Sequence, residues 1–418
     1  MEQRKRIRAR VLFLMFSTLL LCFLIWSEKK LQNHVVGKMA EQEKEWQRVK
    51  QEGFPCIVVN EQGNIVGTRR GELLRRVILD YTAAKPPEDT LDYYNCRIQA
   101  DAFSACTNLR TLILPHQTEF MYFIDYIDPD AFRGCPEDMV VYCDEGCYAW
   151  TRLQELGITV KEIPEGDYDW ELLGEDTDAL KRIQQKKASA HNDSVLTDQE
   201  RRQFYGEPFF MMTESGQLFY SICESLYWHV DYSEIYLPRE ADTLATTFPN
   251  YIMMDQPITI PKNIVEISDS TFFASSLCGI TFEEGSKLQE IGRLAFLGAT
   301  FTEIPLPDGL QEIGERAFET CEDLKEITIP ESVQTIGSRC FGMCTSLERA
   351  VILNPDIRFG ENVFDDVMLN PELSDDEINM EDLDSNFIPN DRLTIVCHQG
   401  SNAEKYAKEH GLQVEYLK

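Results

Sequence analysis

The chain has 418 residues, with 71 acidic and 40 basic side chains, which gives a formal net charge of −31 at pH 7. Binding to nucleic acid requires a basic stripe, so this acidic balance argues against it, and it equally argues against peripheral binding to anionic lipid. The length is sufficient for a large hydrophobic core.

The N-terminal segment is predicted to be a membrane anchor. Residues 11–26 are uncharged and mostly apolar, and basic residues precede them. A cleaved signal peptide needs small residues at its cleavage site, and none follow Trp26 closely. An anchor needs about 17–25 residues, so this run is at the short end. We predict a single-pass signal anchor at 11–27, with cleavage and secretion as the alternative.

The positive-inside rule then places residues 1–10 in the cytoplasm and the bulk of the chain outside the cell. Residues 28–53 are charged and helix-prone with a weak apolar stripe, which indicates a helical stalk. The predicted localisation is therefore the cell membrane, which the chain enters through residues 11–27.

Two segments with a common pattern begin the two halves of the remaining chain. Residues 56–66 and 209–219 align at an offset of 153, and each centres on a glycine. We predict a hairpin around that glycine turn in both, followed by a helix. In the first copy the helix would include Leu73 and Val77.

A repeated phrase follows each of these starts. It consists of Ile-Gly and then, three residues later, an apolar residue before Phe, as in Ile313-Gly314 with Ala317-Phe318. The phenylalanines that mark it in the second half are spaced 24, 22, 23 and 23 residues apart: Phe272, Phe296, Phe318, Phe341 and Phe364. A regular period of this length indicates stacked repeats.

The clearest repeat also shows its local structure. Ile327 and Ile329 alternate with Thr328, which is typical of a half-buried strand, and Pro330 ends it because proline has no N–H to donate. Gly337 is predicted to permit a tight backbone after Ile336.

These phrases resemble the repeat of the BspA-like leucine-rich-repeat family, which runs I-G-x-x-A-F-x-x-C-x-x-L-x-x-I-x-I-P over about 23 residues. The resemblance covers roughly 95–163 and 255–418, and it is most specific near Phe103, Phe318 and Phe341. It implies a solenoid fold. It also implies a surface-exposed or secreted protein whose role is adhesion or ligand binding rather than catalysis.

Each half ends on a second duplicated pattern. Residues 140–146 and 394–400 align at an offset of 254, and each precedes a helix-like run, a glycine and a short strand. We interpret both as C-terminal caps, which cover the open end of a repeat core. The predicted fold is a mixed α/β repeat solenoid of two leucine-rich-repeat arrays with βαβ-like caps, at 54–165 and 208–418, joined by a polar linker at 166–207.

The sequence contains no H-E-x-x-H, G-x-S-x-G or Walker motif, so we predict no catalytic residue, metal or cofactor and no enzyme.

One place in the repeat is occupied by cysteine in four copies: Cys106, Cys135, Cys321 and Cys344. They are predicted to be small buried residues, with disulfides between neighbouring repeats as the alternative. Cys143 with Cys147, and Cys340 with Cys344, lack the second pair that a metal site needs.

Two places interrupt the phrase. Residues 361–386 are rich in acids and contain no Lys or Arg, which indicates a disordered acidic loop. A calcium loop is the alternative, although the stretch has no EF-hand order. An aromatic insertion after residue 118 supplies the first candidate binding residues, Tyr122, Phe123 and Tyr126, whose alternative role is packing over the side of the array.

The second candidate surface is the outward row of the strands, formed by Thr259, Thr281, Glu326, Thr328 and Arg349. We expect a cell-surface adhesion protein that binds a protein or glycan partner outside the cell through such surfaces. The alternative is a structural scaffold subunit of an envelope assembly. The sequence does not indicate the oligomeric state.

Overall fold

A computed structural model describes residues 44–79, 95–114, 123–163, 210–221, 236–245, 257–367 except 274, 276 and 278, 387–388 and 390–418. The chain divides into two units, Met1–Glu52 and Gly53–Lys418. In the first unit, residues 44–52 are helical. The predicted anchor, the predicted linker and most of the acidic loop lie outside the described residues. Within those residues, no helix combines the length and apolar character needed to cross a membrane.

The second unit contains both predicted arrays, whose boundaries stay predictions. The first array has these elements: β1 (Cys56–Val59), β2 (Ile65–Arg69), a short 3-10 helix (Gly71–Leu73), β3 (Arg76–Ile78), β4 (Asn95–Ile98), β5 (Thr111–Ile113), β6 (Phe123–Ile127), β7 (Val140–Cys143), α1 (Tyr148–Glu155) and β8 (Thr159–Glu162).

The second array begins with β9 (Phe210–Thr213), β10 (Gln217–Ser221) and β11 (Thr243–Leu244). Its repeats supply β12 (Ile258–Ile260), β13 (Glu266–Ile267), β14 (Ile280–Phe282), β15 (Glu290–Ile291), β16 (Glu312–Ile313), β17 (Glu326–Ile329), β18 (Thr335–Ile336), β19 (Arg349–Ile352), β20 (Arg358–Phe359), β21 (Asp366–Val367) and β22 (Phe387–Ile388). It ends on β23 (Thr394–Cys397), α2 (Asn402–Glu409) and β24 (Gln413–Tyr416).

The repeats contribute strands to two kinds of ladder, although the repeat that contains β16 has a strand in the first kind only. The Ile-Gly strands join a twelve-stranded sheet in the order β20-β18-β16-β15-β13-β11-β10-β9-β1-β2-β4-β6. The Ile-Thr-Ile strands form β12-β14 and β17-β19-β23-β24 in the second array, and the corresponding strands form β3-β5-β7-β8 in the first. Both predicted caps are confirmed as strand–helix–strand units, because β7 pairs with β8, and β23 with β24, in parallel.

The two start hairpins join the arrays into one sheet. Strand β1 pairs with β9 in parallel, with Cys56 opposite Phe210 and Ile57 opposite Met211. Strands β2 and β10 flank this pair on either side and are antiparallel to their hairpin partners. The arrays therefore extend from the middle of the sheet toward its two edges.

Both faces of this central pair are buried. Ile57, Val59 and Met211 belong to the hydrophobic core of the first array. Because successive side chains of a strand point to opposite faces, Cys56 and Phe210 face the other way. On that face the ring of Phe54 lies 6.3 Å from that of Phe210 and 6.0 Å from that of Tyr236. Apolar side chains thus cover both faces, which explains why all four residues of β1 are buried.

A buried arginine spans the same junction. Arg70 of the first hairpin forms an ion pair with Glu240 of the second array. Its second guanidinium nitrogen donates to the Phe54 carbonyl at 2.8 Å. The junction is therefore both apolar and electrostatic.

The prediction of a helix after the first hairpin is wrong. Gly71–Leu73 forms a single 3-10 turn, and Val77 lies in strand β3, opposite Leu112 of β5. Val77 is fully buried in the core of the first array. Its apolar spacing from Leu73 fits a helix, but pairing with the neighbouring strand decides the local structure. The matching segment after β10 lies outside the described residues.

The repeated phenylalanines form a continuous stack inside the second array. Neighbouring rings lie 5.1–5.4 Å apart with interplanar angles of 1–9°, through Phe272, Phe296, Phe318, Phe341 and Phe364. All five side chains are fully buried or nearly so. Phe103 and Phe132 form the same contact in the first array, at 5.3 Å.

The glycine of the phrase has a different role from the predicted one. A Cβ atom on Gly337 would lie 2.3 Å from the backbone nitrogen of Glu315 in the preceding repeat. A Cβ on Gly314 would lie 2.6 Å from the carbonyl carbon of Gly292. Neither glycine has a positive φ. The phrase therefore needs glycine for close approach between stacked repeats rather than for a special backbone conformation.

The repeated cysteines lie in or beside the core as thiols. Cys106, Cys321 and Cys344 are fully buried, and Cys135 is partly buried. The thiols of Cys321 and Cys344 donate to the carbonyls of Phe296 and Phe318 at 3.3 and 3.1 Å. Their burial confirms the core interpretation, and the hydrogen bonds show that the position also satisfies a carbonyl of the neighbouring repeat.

Candidate binding surfaces

The first candidate surface is centred on Tyr126 in strand β6, at one edge of the twelve-stranded sheet. The aromatic insertion proves to be partly strand, because Phe123–Ile127 pair with β4 in parallel. The register shifts there, with Cys96 opposite Ile124 but Arg97 opposite Tyr126, so that Asp125 is an extra residue. Such bulges bend a strand and redirect its side chains. Ile124 is buried, whereas Tyr126 keeps 37% of its surface exposed.

Ion pairing holds the bulge in place. The guanidinium of Arg97 donates to both carboxylate oxygens of Asp125, at 3.2 and 3.4 Å. The hydroxyl of Tyr126 donates to Asp128 at 3.0 Å. This hydrogen bond is the main cause that raises the pKa of Tyr126 above its ordinary value.

The cap helix α1 closes the edge of β6 with two side chains. The Ile127 N–H donates to the hydroxyl of Tyr148 at 3.4 Å, and Arg152 donates to the Ile127 carbonyl at 3.1 Å. Among the described residues, no further strand pairs with β6 on this side. The two side chains therefore satisfy the backbone N–H and carbonyl of Ile127, which an edge strand would otherwise leave unpaired. The ring of Tyr148 remains 41% exposed.

We call this surface the Tyr126 patch and define it as Tyr126, Tyr148, Asp125, Asp128, Arg97 and Arg152. Of the predicted residues it contains Tyr126. Phe123 lies in the same strand, and Tyr122 lies outside the described residues. Sequence reasoning missed Tyr148, although the duplication offered a signal: the second cap has Asn402 at the equivalent position.

The second candidate surface is the predicted outward row. Thr259 of β12 and Thr281 of β14 are exposed and hydrogen-bonded to each other at 3.0 Å. Further along, Arg349 lies 3.6 Å from Glu326 and 2.8 Å from Glu415 of the cap. The row therefore divides into a threonine pair and a charged group. Their role in binding stays a prediction.

Contacts within the charged group shift the pKa values of its side chains. The hydrogen bond from Arg349 lowers the pKa of Glu415, and the same contact raises the pKa of Arg349. Thr328 is exposed on the same strand as Glu326. Cross-strand pairs of this kind stabilise a sheet, so the row has a structural role whether or not it binds a partner.

The opposite ladder carries a stack of acids. Glu290 of β15 lies between Glu266 and Glu312 on the neighbouring strands. Partial burial, followed by the charges of these two neighbours, raises the pKa of Glu290. In the described part of the chain, no cluster of three or more His, Cys, Asp or Glu side chains is arranged to hold a metal ion.

The fold and these surfaces define a leucine-rich-repeat solenoid. Residues 90–156 and 246–370 match a family model described as "BspA type Leucine rich repeat region", in 6 copies. These two segments thus match the BspA type of leucine-rich repeat, as the sequence resemblance indicated. No curated protein matches the chain.

Solved structures of leucine-rich-repeat proteins also match. A Treponema pallidum leucine-rich-repeat protein is 32% identical over 26% of this chain and 53% of its own, with a TM-score of 0.24. This chain therefore spans about half the length of that protein. The pneumococcal vaccine antigen PcpA is 13% identical over 87% of this chain and 94% of its own, with a TM-score of 0.30. A Faecalibacterium prausnitzii cell-surface protein is 16% identical over 72% and 86%, with a TM-score of 0.27.

Proposed function

We propose that this chain is a binding protein of the cell surface that recognises a protein or glycan partner through the Tyr126 patch. The observation that carries the proposal is the exposure of two adjoining tyrosines at one sheet edge. In the described residues the large hydrophobic side chains that are exposed are Tyr126, Tyr148 and Tyr416, and two of these three belong to the patch.

The chemistry of the patch suits recognition. A tyrosine offers an apolar face and a polar hydroxyl, and this residue type is enriched at the energetic centres of interfaces. The Asp and Arg side chains beside the rings supply hydrogen-bond acceptors and donors. Glycan hydroxyls and polar peptide groups both pair with such a mixture.

The patch is also held in position before any partner arrives. Tyr126 is on a paired strand, and its hydroxyl is fixed by Asp128. Tyr148 is fixed by its bond to the backbone of β6. Binding to ordered side chains loses less conformational entropy than binding to mobile ones.

We extend the proposal to the location of the chain. Residues 11–27 would anchor it as a single-pass protein, with residues 28–53 as a stalk and the repeats outside the cell. Recognition of a partner by a surface on stacked repeats requires no catalytic group. We therefore propose a binding role rather than an enzymatic one.

Binding by the full-length protein in mild detergent tests this function. The chain is immobilised and exposed to a glycan array and to a panel of purified surface proteins. For any ligand that binds, the double variant Y126A/Y148A is expected to lose at least about tenfold in affinity, because interface tyrosines commonly contribute more than 1 kcal/mol.

Tyr416 supplies the matched control. It is 44% exposed, but it lies on the other cap, where its hydroxyl bonds Glu404. Y416A is expected to bind as the unmodified protein does. Equal losses in both variants, or full binding by Y126A/Y148A, would show that the patch is not the binding surface.

A further inference from the structure

The two exposed tyrosines of the Tyr126 patch differ in what their hydroxyl groups can still bind. The hydroxyl of Tyr126 donates its hydrogen to Asp128 at 3.0 Å, so the lone pairs of its oxygen remain able to accept. The hydroxyl of Tyr148 accepts the Ile127 N–H at 3.4 Å, and its own hydrogen has no acceptor among the described residues. Because Ile127 directly follows Tyr126, the patch presents a phenolic acceptor and a phenolic donor close together.

The two carboxylates of the patch also keep acceptor capacity. An ionised carboxylate has about four lone-pair sites. Asp128 accepts from Tyr126 and, at 2.9 Å, from the N–H of Asp130, so about half of its sites remain. Asp125 accepts two bonds from Arg97 and keeps the same share. The side chain of Asp125 is 27% exposed, so a ligand can reach it.

The two arginines supply donors in the same place. Arg152 uses its Nε for the Ile127 carbonyl and its Nη1 for Glu155, and its Nη2 has no acceptor in the described part of the chain. Arg97 uses Nε and Nη2 for Asp125, and within the described residues its Nη1 is left for a ligand. A hydroxyl group both donates and accepts, whereas a peptide N–H or carbonyl does one or the other. A surface that mixes donors and acceptors in this way therefore favours a ligand rich in hydroxyl groups.

The exposed apolar area favours a sugar over a protein. A fully buried tyrosine removes about 150–250 Å² from water. Tyr126 and Tyr148 expose 37% and 41% of their surface, so together they offer roughly 120–200 Å². A stable protein interface covers about 800 Å² on each partner. A pyranose ring is close in size to one tyrosine ring, so the area of the patch suits a sugar unit.

The charges of the patch disfavour an acidic sugar. A carboxylate binds best to a guanidinium edge that can donate two parallel bonds. Arg97 already donates from that edge to both oxygens of Asp125. Arg152 already donates to Glu155, and the chain as a whole has a net charge of −31. A ligand anion would therefore meet repulsion without a guanidinium edge to offset it.

We propose that the Tyr126 patch binds a neutral pyranose unit of a glycan. The apolar C–H face of the sugar packs on a tyrosine ring, while its hydroxyl groups accept from Tyr148 and donate to Tyr126 and the carboxylates. This inference rests on the proposed function, because it names the ligand class of the same surface.

Saturation-transfer NMR on the full-length protein in mild detergent tests the ligand class. A single sugar unit on an open surface should bind with a Kd of about 1 mM, within the range of this method. The probes are the methyl glycosides of glucose, galactose and mannose. Each has a matched anion in its uronic acid counterpart, in which a carboxylate replaces the C6 hydroxymethyl group. At least one neutral glycoside should bind, and its uronic acid counterpart should bind at least about fivefold more weakly.

Single-oxygen variants test the two hydroxyl groups. Y148F removes the donor and Y126F removes the acceptor, while both keep the ring. Each should weaken binding of the neutral glycoside by about twofold to tenfold, the effect of one hydrogen bond. Y126A/Y148A should abolish binding. Y416F is the matched control, since Tyr416 is exposed on the other cap and its hydroxyl bonds Glu404, so its affinity should be unchanged.

The outcomes separate this inference from the proposed function. A protein ligand that depends on Tyr126 and Tyr148, with no glycoside bound, would overturn the inference and leave the proposed function standing. Glycoside binding that Y126A/Y148A retains would overturn the inference, as would full affinity in both Y126F and Y148F. Equal affinity for a neutral glycoside and its uronic acid counterpart would refute the preference for a neutral sugar. Loss of neither protein nor glycan binding in Y126A/Y148A would overturn both proposals.

Discussion

Replacing Phe318 with alanine should test the phenylalanine stack most directly. Its ring lies between those of Phe296 at 5.1 Å and Phe341 at 5.3 Å, almost parallel to both. The side chain is 0% exposed. Truncation therefore opens a cavity in the middle of the array and removes both stacked contacts, together with an edge contact to the ring of Phe301 at 6.3 Å.

The expected loss of unfolding free energy is about 3–5 kcal/mol, the range for a fully buried Phe to Ala change. Phe132 in the first array supplies a comparison, since it is 8% exposed and stacks on Phe103. Each aromatic pair adds about 0.5–1.5 kcal/mol beyond its burial, so F132A should cost about 1–2 kcal/mol less than F318A. F318L keeps most of the apolar volume and should cost about 1–2 kcal/mol.

Guanidinium unfolding followed by circular dichroism at 25 °C measures these differences. The free energy is taken from the unfolding transition of the array that carries the substitution. The slope of unfolding free energy against guanidinium concentration should be the same in variant and unmodified protein, which shows that both unfold in the same way. A cost below about 1 kcal/mol for F318A would refute the cavity argument. Equal costs for F318A and F318L would also refute the cavity argument, because both variants lose the ring contacts and only F318L keeps most of the apolar volume.

Three further substitutions probe the glycine of the phrase, the acid stack and the second cap. G337A should cost at least about 2 kcal/mol in guanidinium unfolding, because its Cβ would meet the backbone of the preceding repeat; a neutral result would contradict the close-approach reading. Partial burial, and then the neighbouring carboxylates, raise the pKa of Glu290, so its charge destabilises the fold as pH rises through the range of carboxyl titration. E290Q should therefore stabilise by about 0.5 kcal/mol or less at pH 7, by less than that in high salt, which screens the neighbouring charges, and not at all at pH 3. A hydrogen bond from Lys408 lowers the pKa of Glu404 to about 2, so its stabilisation is present above pH 5 and is lost as pH falls toward 2. E404Q should melt at a lower temperature than the unmodified protein at pH 7 and at the same temperature at pH 2; equal melting at both would count against this contact.

The repeat was predictable because its cause is local and recurrent. Ile327 and Ile329 alternate with threonine, and Phe318 and Phe341 return at a fixed spacing, so each repeat must bury the same positions against its neighbours. The caps were predictable for a related reason, since the duplication at an offset of 254 exposed the strand–helix–strand pattern twice.

The first hairpin shows where local pattern is insufficient. Leu73 and Val77 have helical spacing, yet Val77 lies in strand β3 because it pairs with Leu112 of β5. Tyr126 was identified as a candidate contact, but as part of an insertion rather than of a bulged edge strand. Its companion Tyr148 comes from the cap helix, and only the tertiary fold brings the two together.

By itself the sequence determined the period, the buried Phe and Cys positions, the hairpins and the caps, because each depends on side chains a few residues apart. The tertiary structure alone decided that β1 pairs with β9, which joins the two arrays through one sheet buried on both faces. The two strands are 154 residues apart, and the sequence near each of them does not indicate which strand will pair with it. A buried apolar strand has a sequence pattern that is compatible with several neighbouring strands. The choice among them depends on packing over the whole unit.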